Sequence, residues 1–227
     1  MNRTFEEDLD KLRTRLIRMG SLVEEQVEFA LRALREGNQE LATIVMDRDD
    51  KVDKLDLKID KQCQRIFALN QPVATDLRLL LAAMKINNEL ERIGDMATNI
   101  ASIVVVSPNA VQLANQIDMN RIANAAYTML KSSLDAFINN DPELAAHVLP
   151  SDFTVDQLYD TLRNELIEIM IADSTLVADG AQLLLGLYNL ERMADHATNI
   201  AENVIFLAEA KLVRHRSVND EGLASND

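Results

Sequence analysis

L-E-R-I-G-D-M-A-T-N-I-A at residues 90–101 recurs as L-E-R-M-A-D-H-A-T-N-I-A at residues 190–201. Nine of the twelve positions are identical, among them Glu91/Glu191, Arg92/Arg192, Asp95/Asp195 and Asn99/Asn199. Self-similarity at so long a period marks two copies of one supersecondary unit. The residues that recur also carry chemistry. A Glu, an Asp and an amide follow one another at intervals of four, which on a helix stacks all three side chains on one face.

Working outward from this signature, the apolar residues keep helical spacing almost throughout. Leu9, Leu12, Leu16, Met19, Val23, Val27 and Leu34 predict a first helix over residues 5–35. Gly37-Asn38 ends it with C-cap chemistry. A second helix is expected over 39–69, with Leu41, Val45, Val52, Leu55, Ile59 and Ile66 on its buried stripe. Asn70-Gln71-Pro72 stops it, because the residue before a proline is pushed out of the helical region. A third helix over 74–106 carries the signature and ends at Ser107-Pro108-Asn109. The second half retraces this course. Residues 120–138 match the first helix, Asn139-Asn140-Asp141-Pro142 is the break, and a last helix is expected over 175–213. That last connection lacks a counterpart of Pro72, so the two turns should differ. Short loops make consecutive helices antiparallel neighbours. The expected fold is therefore all-α, a tandem repeat of two three-helix bundles with six long helices. Residues 1–108 form the first bundle, 109–216 the second, and 217–227 a polar tail.

Composition agrees. Aromatic residues make up only 4%, with no Trp and six Gly, which leaves little material for strands, while 48% hydrophobic residues suffice for a core. A single cysteine, Cys63, excludes an intrachain disulfide framework and a thiolate cluster. It is expected to pack inside. The opening M-N-R-T-F-E-E-D has no apolar h-region, and no apolar run is long enough to span a bilayer, so a cytoplasmic protein without membrane insertion is expected. A net charge of −14 argues against a nucleic-acid partner and favours cations or basic protein surfaces.

At about 100° per residue, Leu90, Ile93, Ala97, Ile100 and Val104 fall together as the buried side of the third helix. Glu91, Asp95, Thr98, Asn99 and Ser102 gather roughly 160° away and are expected to face outward. On the second helix Asp49, Asp53, Asp56 and Asp60 share a flank, and Asp152 and Asp156 repeat the first pair in the other half. Two helices side by side would bring Asp49, Asp53, Glu91 and Asp95 onto one patch, and Asp152, Asp156, Glu191 and Asp195 onto another. Like charges so placed repel and raise one another's pKa, a conflict that a multivalent cation removes. Oxygen donors suit hard cations such as Mg²⁺, Mn²⁺, Ca²⁺ or oxidised iron. Asn99 and Asn199 are candidates to ligate or orient the acids, and His196 and Glu202 are candidate extra ligands of the second patch. The competing reading is solvated charge paired with Arg92 or Lys54. Repetition of the same acids, Thr and Asn while core positions drift counts against it.

Asp76 reads as an acid on a helix N-terminus, and His147 and His215 as exposed bystanders. No P-loop, Gly-rich dinucleotide turn or nucleophile triad is recognisable.

The duplicated signature, the D-R-D-D-K-V-D at 47–53 and the Q-P-V-A-T-D-L-R at 71–78 resemble the phosphate-uptake regulator (PhoU) family over residues 5–213. The resemblance implies two three-helix bundles, multinuclear metal clusters with iron foremost (Mg, Mn, Ca or Zn as alternatives), and a non-enzymatic role. It implies partners in the ATPase subunit of the phosphate ABC transporter and the phosphate sensor histidine kinase, whose activities such proteins dampen when phosphate is plentiful. A homodimer is expected. Ser102 stands where the family often has an acid. The alternatives are a di-iron carboxylate oxidase of ferritin type, which would need Glu-x-x-His pairs aimed into a bundle core, and an acidic adaptor that holds no metal.

Overall fold

The first break in the helical period in each half is closed by the same capping device. The structure, a computed structural model, describes residues 3–210. Helix α1 spans Arg3–Glu36 and α2 Gln39–Asn70. Between them Gly37 takes φ +65°, a left-handed conformation suited to a residue without Cβ. The Asn38 N–H returns to the Ala33 carbonyl at 3.0 Å, and the Asn38 side chain accepts from the Leu41 N–H at 3.0 Å to open α2. The second half uses the same device. Asn140 replaces the glycine at φ 52°, the Asp141 N–H bonds the Ala136 carbonyl at 2.9 Å, and the Asp141 carboxylate caps the next helix at Glu143 and Leu144.

Helix α3 runs Ala74–Val106, and α4 is a short piece, Ala110–Gln116. Helices α5 (Asn120–Asn139), α6 (Pro142–Val148), α7 (Asp152–Ala172) and α8 (Val177–Glu209) complete the described residues. Two features of the second half differ from three plain helices. The counterpart of α1 is divided into α4 and α5. The counterpart of α2 is divided at the 3-10 turn Leu149–Ser151 into α6 and α7. Pro150 causes that break, since it offers no N–H and its ring crowds the carbonyl four residues back. The turn before α8 is also unlike its partner: Asp173 accepts from the Thr175 N–H at 2.9 Å and opens a 3-10 turn, Ser174–Leu176. The expected end of the last helix beyond residue 210, the tail and His215 lie outside the described residues.

The core begins from the predicted stripes. Leu12, Leu16, Met19, Val23 and Val27 of α1 are fully buried, as are Val45 and Ile59 of α2 and Leu90, Ile93, Ala97 and Ile100 of α3. Cys63 is also fully buried, which pushes its thiol up to about 12. Helices α3 and α8 pack antiparallel along the seam between the halves. Gly186 abuts Ile103, Asn99 meets Asn189, and Ser107 is hydrogen-bonded to Asp179. α3 is thus flanked by α1, α2 and α8, and what it leaves to solvent is a narrow stripe through Leu81, Lys85, Asn88 and Arg92.

A Cβ at Gly186 would stand 2.8 Å from Ile103 Cδ1 and 3.1 Å from Met119 Cε. Gly186→Val should lower stability by about 1–3 kcal/mol through overpacking, although valine is the better helix former. Chemical denaturation measures this, and an unchanged midpoint would show that the seam has slack.

Candidate metal centres

In the first half, α2 and α3 lie side by side with their acids in the groove between them. Asp49 and Asp53 of α2 and Asp95 of α3 each offer an oxygen within 4.8 Å of the others. Oxygens sharing one ion at metal–oxygen distances of about 2.0–2.6 Å can be no farther apart than about 5 Å. Glu91 sits one turn before Asp95. Burial, then Asp95, Asp56 and Asp53, raise its pKa, against a lowering by Arg92. Burial, then Asp49 and Asp53, raise that of Asp95. Arg92 pairs with Glu91 at 3.6 Å and lowers the pKa of both Glu91 and Asp95 without cancelling the rise, whereas Lys54 pairs with Asp50.

A residue not singled out from the sequence holds this groove in shape. Gln26 of α1 is fully buried and donates to Thr98 Oγ1 (3.0 Å), Asp49 Oδ1 (3.3 Å) and the Gly94 carbonyl (3.4 Å). The Thr98 hydroxyl donates to the same Asp49 oxygen at 3.1 Å. The available signal was a glutamine beside Val23 and Val27 on an otherwise apolar stripe. Farther along α2, Asp56 and Asp60 are gathered by the amide of Asn87, at 2.6 and 3.3 Å. Burial, then Asp60 and Asp53, raise the Asp56 pKa.

In the second half, α7 and α8 supply the same four acids. Asp152 is only 6% exposed, Asp156 is exposed, and Glu191 and Asp195 are half-buried. Burial, then Asp195, with smaller effects of Asp156 and Asp152, raises Glu191 to about 7. Its Oε2 is buried without a hydrogen-bond partner. One carboxylate oxygen of Asp195, Oδ2, is engaged by Arg192. Met129, buried, stands where Gln26 would be, and the Thr198 hydroxyl is buried without a partner.

Three expectations need correction. The signature face is not simply outward. Glu91, Asp95, Thr98, Glu191 and Asp195 are partly covered and Thr198 is buried, because the neighbouring α2 or α7 closes over the side opposite the core stripe. His196 belongs to the seam rather than to the second cluster: its Nδ1 meets Glu89 Oε2 at 2.5 Å, and the ring is 8% exposed. Asn199 donates to that same Glu89 oxygen at 3.2 Å, and Asn99 donates to Asn189 Oδ1 at 3.4 Å. The repeated asparagines therefore clasp the two halves and do not orient the acids. Glu202 is half-buried, and at its counterpart the Ser102 hydroxyl donates to the Asn99 carbonyl at 2.7 Å.

These donor sets suit a hard cation. They consist of carboxylates alone, crowded enough to resist ionisation together, with an orphaned buried oxygen in the second set. A carboxyl raised from 4.5 to about 7 binds its proton more tightly in the folded chain than in the unfolded one. Between those values the folded state holds the extra proton, so this group's contribution to stability falls as pH rises through that window. Metal-free protein should show this loss in its melting temperature, and Glu191→Gln should flatten that part of the profile. Identical profiles for the two proteins would exclude Glu191 as the source.

The PhoU domain model matches this chain twice, at residues 16–104 and 119–204. A phosphate-specific transport system accessory protein PhoU homolog of Zymomonas mobilis is 38% identical over 223 residues, covering 98% of this chain and 94% of that protein. The homolog of Aquifex aeolicus is 35% identical, covering 95% and 97%. The crystal structure of PhoU from Pseudomonas aeruginosa superposes with a TM-score of 0.84 at 36% identity, covering 91% of this chain and all (100%) of that one. The phosphate transport system regulatory protein PhoU of Streptococcus pneumoniae gives 0.83 at 30% identity, covering 92% and 99%. With two domain matches that each span a carboxylate groove and relatives aligned over nearly the whole chain, the protein belongs to the PhoU family.

Proposed function

We propose that this accessory protein of phosphate transport is a cytoplasmic negative regulator of phosphate uptake and of phosphate-starvation signalling, acting through protein contact and not through catalysis. The observation that carries the reading is the same four-carboxylate groove built twice, in a chain whose relatives are named for accessory and regulatory roles. Asp49, Asp53, Glu91 and Asp95 would hold one metal cluster, and Asp152, Asp156, Glu191 and Asp195 the other. A bound cation, iron foremost and Mg, Mn, Ca or Zn otherwise, would supply compensating charge and open coordination positions. The protein's own part is to crowd the acids between two helices so that they accept that charge. Among the described residues no single helix is long and apolar enough to cross a membrane, in keeping with a protein that docks on others. We place its partners as the transporter's ATPase subunit and the sensor histidine kinase, and its working form as a homodimer.

The oxidase alternative is weakened by His196, which is committed to Glu89 across the seam and stands apart from the carboxylate grooves. The metal-independent adaptor is separated by experiment. Asp95→Ala with Asp195→Ala should lower the metal content of protein purified without chelator while helicity stays near wild type. Equal metal in both proteins would favour the adaptor. Deleting the gene should leave phosphate-starvation genes expressed in phosphate-rich medium, and normal repression in the deletion strain would overturn the regulatory reading.

A further inference from the structure

The acids are duplicated between the halves, but the bases are not. On α2, Lys51, Lys54, Lys58, Lys61 and Arg65 recur every three or four residues, a spacing that lines one flank of a helix. This flank is separate from the one bearing Asp49, Asp53, Asp56 and Asp60. In the second half the corresponding residues are Thr154, Gln157, Thr161, Asn164 and Glu168, none of them basic. Where α2 lies against α1, Lys58, Lys61 and Arg65 join Lys11 and Arg15 in lining a groove of about 560 Å³. Asp8 is the only acid in its lining. The side chains of Lys11, Arg15, Lys58, Lys61 and Arg65 are all exposed. None of the five forms a salt bridge with an acid among the described residues.

Part of the groove is preorganised. Gln62, only 9% exposed, donates from Nε2 to the Asp8 carbonyl at 2.8 Å and accepts Arg15 Nη1 on its Oε1 at 2.6 Å. Arg15 is therefore held in the groove by Gln62, which also ties α2 to the α1 backbone. Five cations thus stand together on a chain whose net charge is −14, so the groove is a local positive field on an otherwise acidic protein.

We propose that this groove binds a soluble linear oligophosphate, a chain of phosphates without a base. Lysine and arginine side chains supply the donors that phosphate oxygens accept. Lys58 to Arg65 spans about 10 Å of helix, room for several linked phosphates. No aromatic residue lines the groove, so nothing stacks on a nucleobase. Its one apolar lining residue, Ile66, is 1% exposed, so an acidic protein segment would find no apolar anchor. An anionic bilayer would face the rest of a chain whose net charge is −14 and be repelled, whereas a short free chain meets only the groove. The proposal stands independently of the carboxylate centres.

Isothermal titration of the full chain with tripolyphosphate, at low salt and with chelator present, tests it. One site is expected, weakened by added salt and at least tenfold weaker for orthophosphate. The triple variant Lys58→Gln, Lys61→Gln, Arg65→Gln should lose at least tenfold in affinity with unchanged helicity, while Lys131→Gln, outside the groove, binds as wild type. Asp95→Ala with Asp195→Ala should also bind as wild type. Undiminished binding by the triple variant would overturn the proposal, as would no binding at all, or binding only to phosphatidylserine vesicles. Binding that needs metal and disappears with Asp95 and Asp195 would assign phosphate to the carboxylate centres instead, overturning the groove while leaving the metal reading intact.

Discussion

The packing of α3 against α8 is the constraint on which the rest of the structure depends. These two helices carry the repeated signature, and each is the inner helix of its half. Bringing them together fixes where every other helix lies. The seam is made close by Gly186 and held by contacts of different kinds: the Ile103 approach, the Asn99–Asn189 bond, the Ser107–Asp179 bond and the cluster of Glu89 with His196 and Asn199. Polar bonds there fix register as well as adhesion. An antiparallel pair of smooth apolar helices could slide by a turn, whereas a buried histidine matched to one glutamate leaves one alignment that satisfies both.

With α3 and α8 central, α2 covers one flank of α3 and α7 one flank of α8, and it is on those flanks that the acids stand. The carboxylates are thus crowded by packing. Covering helices remove water from Glu91, Asp95 and Glu191, and neighbouring acids raise them further. Such an arrangement opposes folding of the metal-free chain and is relieved by a cation or by protons. The halves answer the strain differently. In the first, Gln26 and Thr98 brace Asp49 from behind. In the second, Arg192 takes Asp195, Met129 replaces the glutamine, and Glu191 keeps an unpartnered buried oxygen. The two grooves therefore differ: in the first three carboxylate oxygens lie close together, and in the second one oxygen of Asp195 is held by Arg192.

Much of this was legible in the sequence. The stripes of α1, α2 and α3 depend on local periodicity and on Gly37, Asn38 and Pro72, whose backbone preferences act within a few residues. The eight acids stand out because they repeat, and the structure brings Asp49, Asp53 and Asp95 within reach of one another. The break at Pro150 was not assigned, since apolar spacing runs on through α6 and α7 and masks it. The roles of Asn99, Asn199 and His196 were also missed. A single-helix projection separates a core side from its opposite, but α3 has neighbours on three sides, and residues between those extremes belong to a partner helix that periodicity does not reveal. Gln26 was hidden for the same reason, its partners being 23 and 72 residues away.

The charge on α2 shows how one helix can serve two environments. Its acids turn toward α3, where their repetition in the second half ties them to a property common to both repeats. Its bases turn toward the outer side of α1, where α7 has Thr, Gln, Asn and Glu instead. Had the bases evolved to neutralise the acids, they would share a flank with them and recur with them. They do neither: Lys54 pairs with the exposed Asp50, and Lys58, Lys61 and Arg65 pair with no described acid. A duplicated fold relaxes such constraints, since one copy can retain the shared site while the other acquires a surface of its own. The two grooves beside α2, one acidic and common to both halves, the other basic and confined to the first, are the physical form of that division.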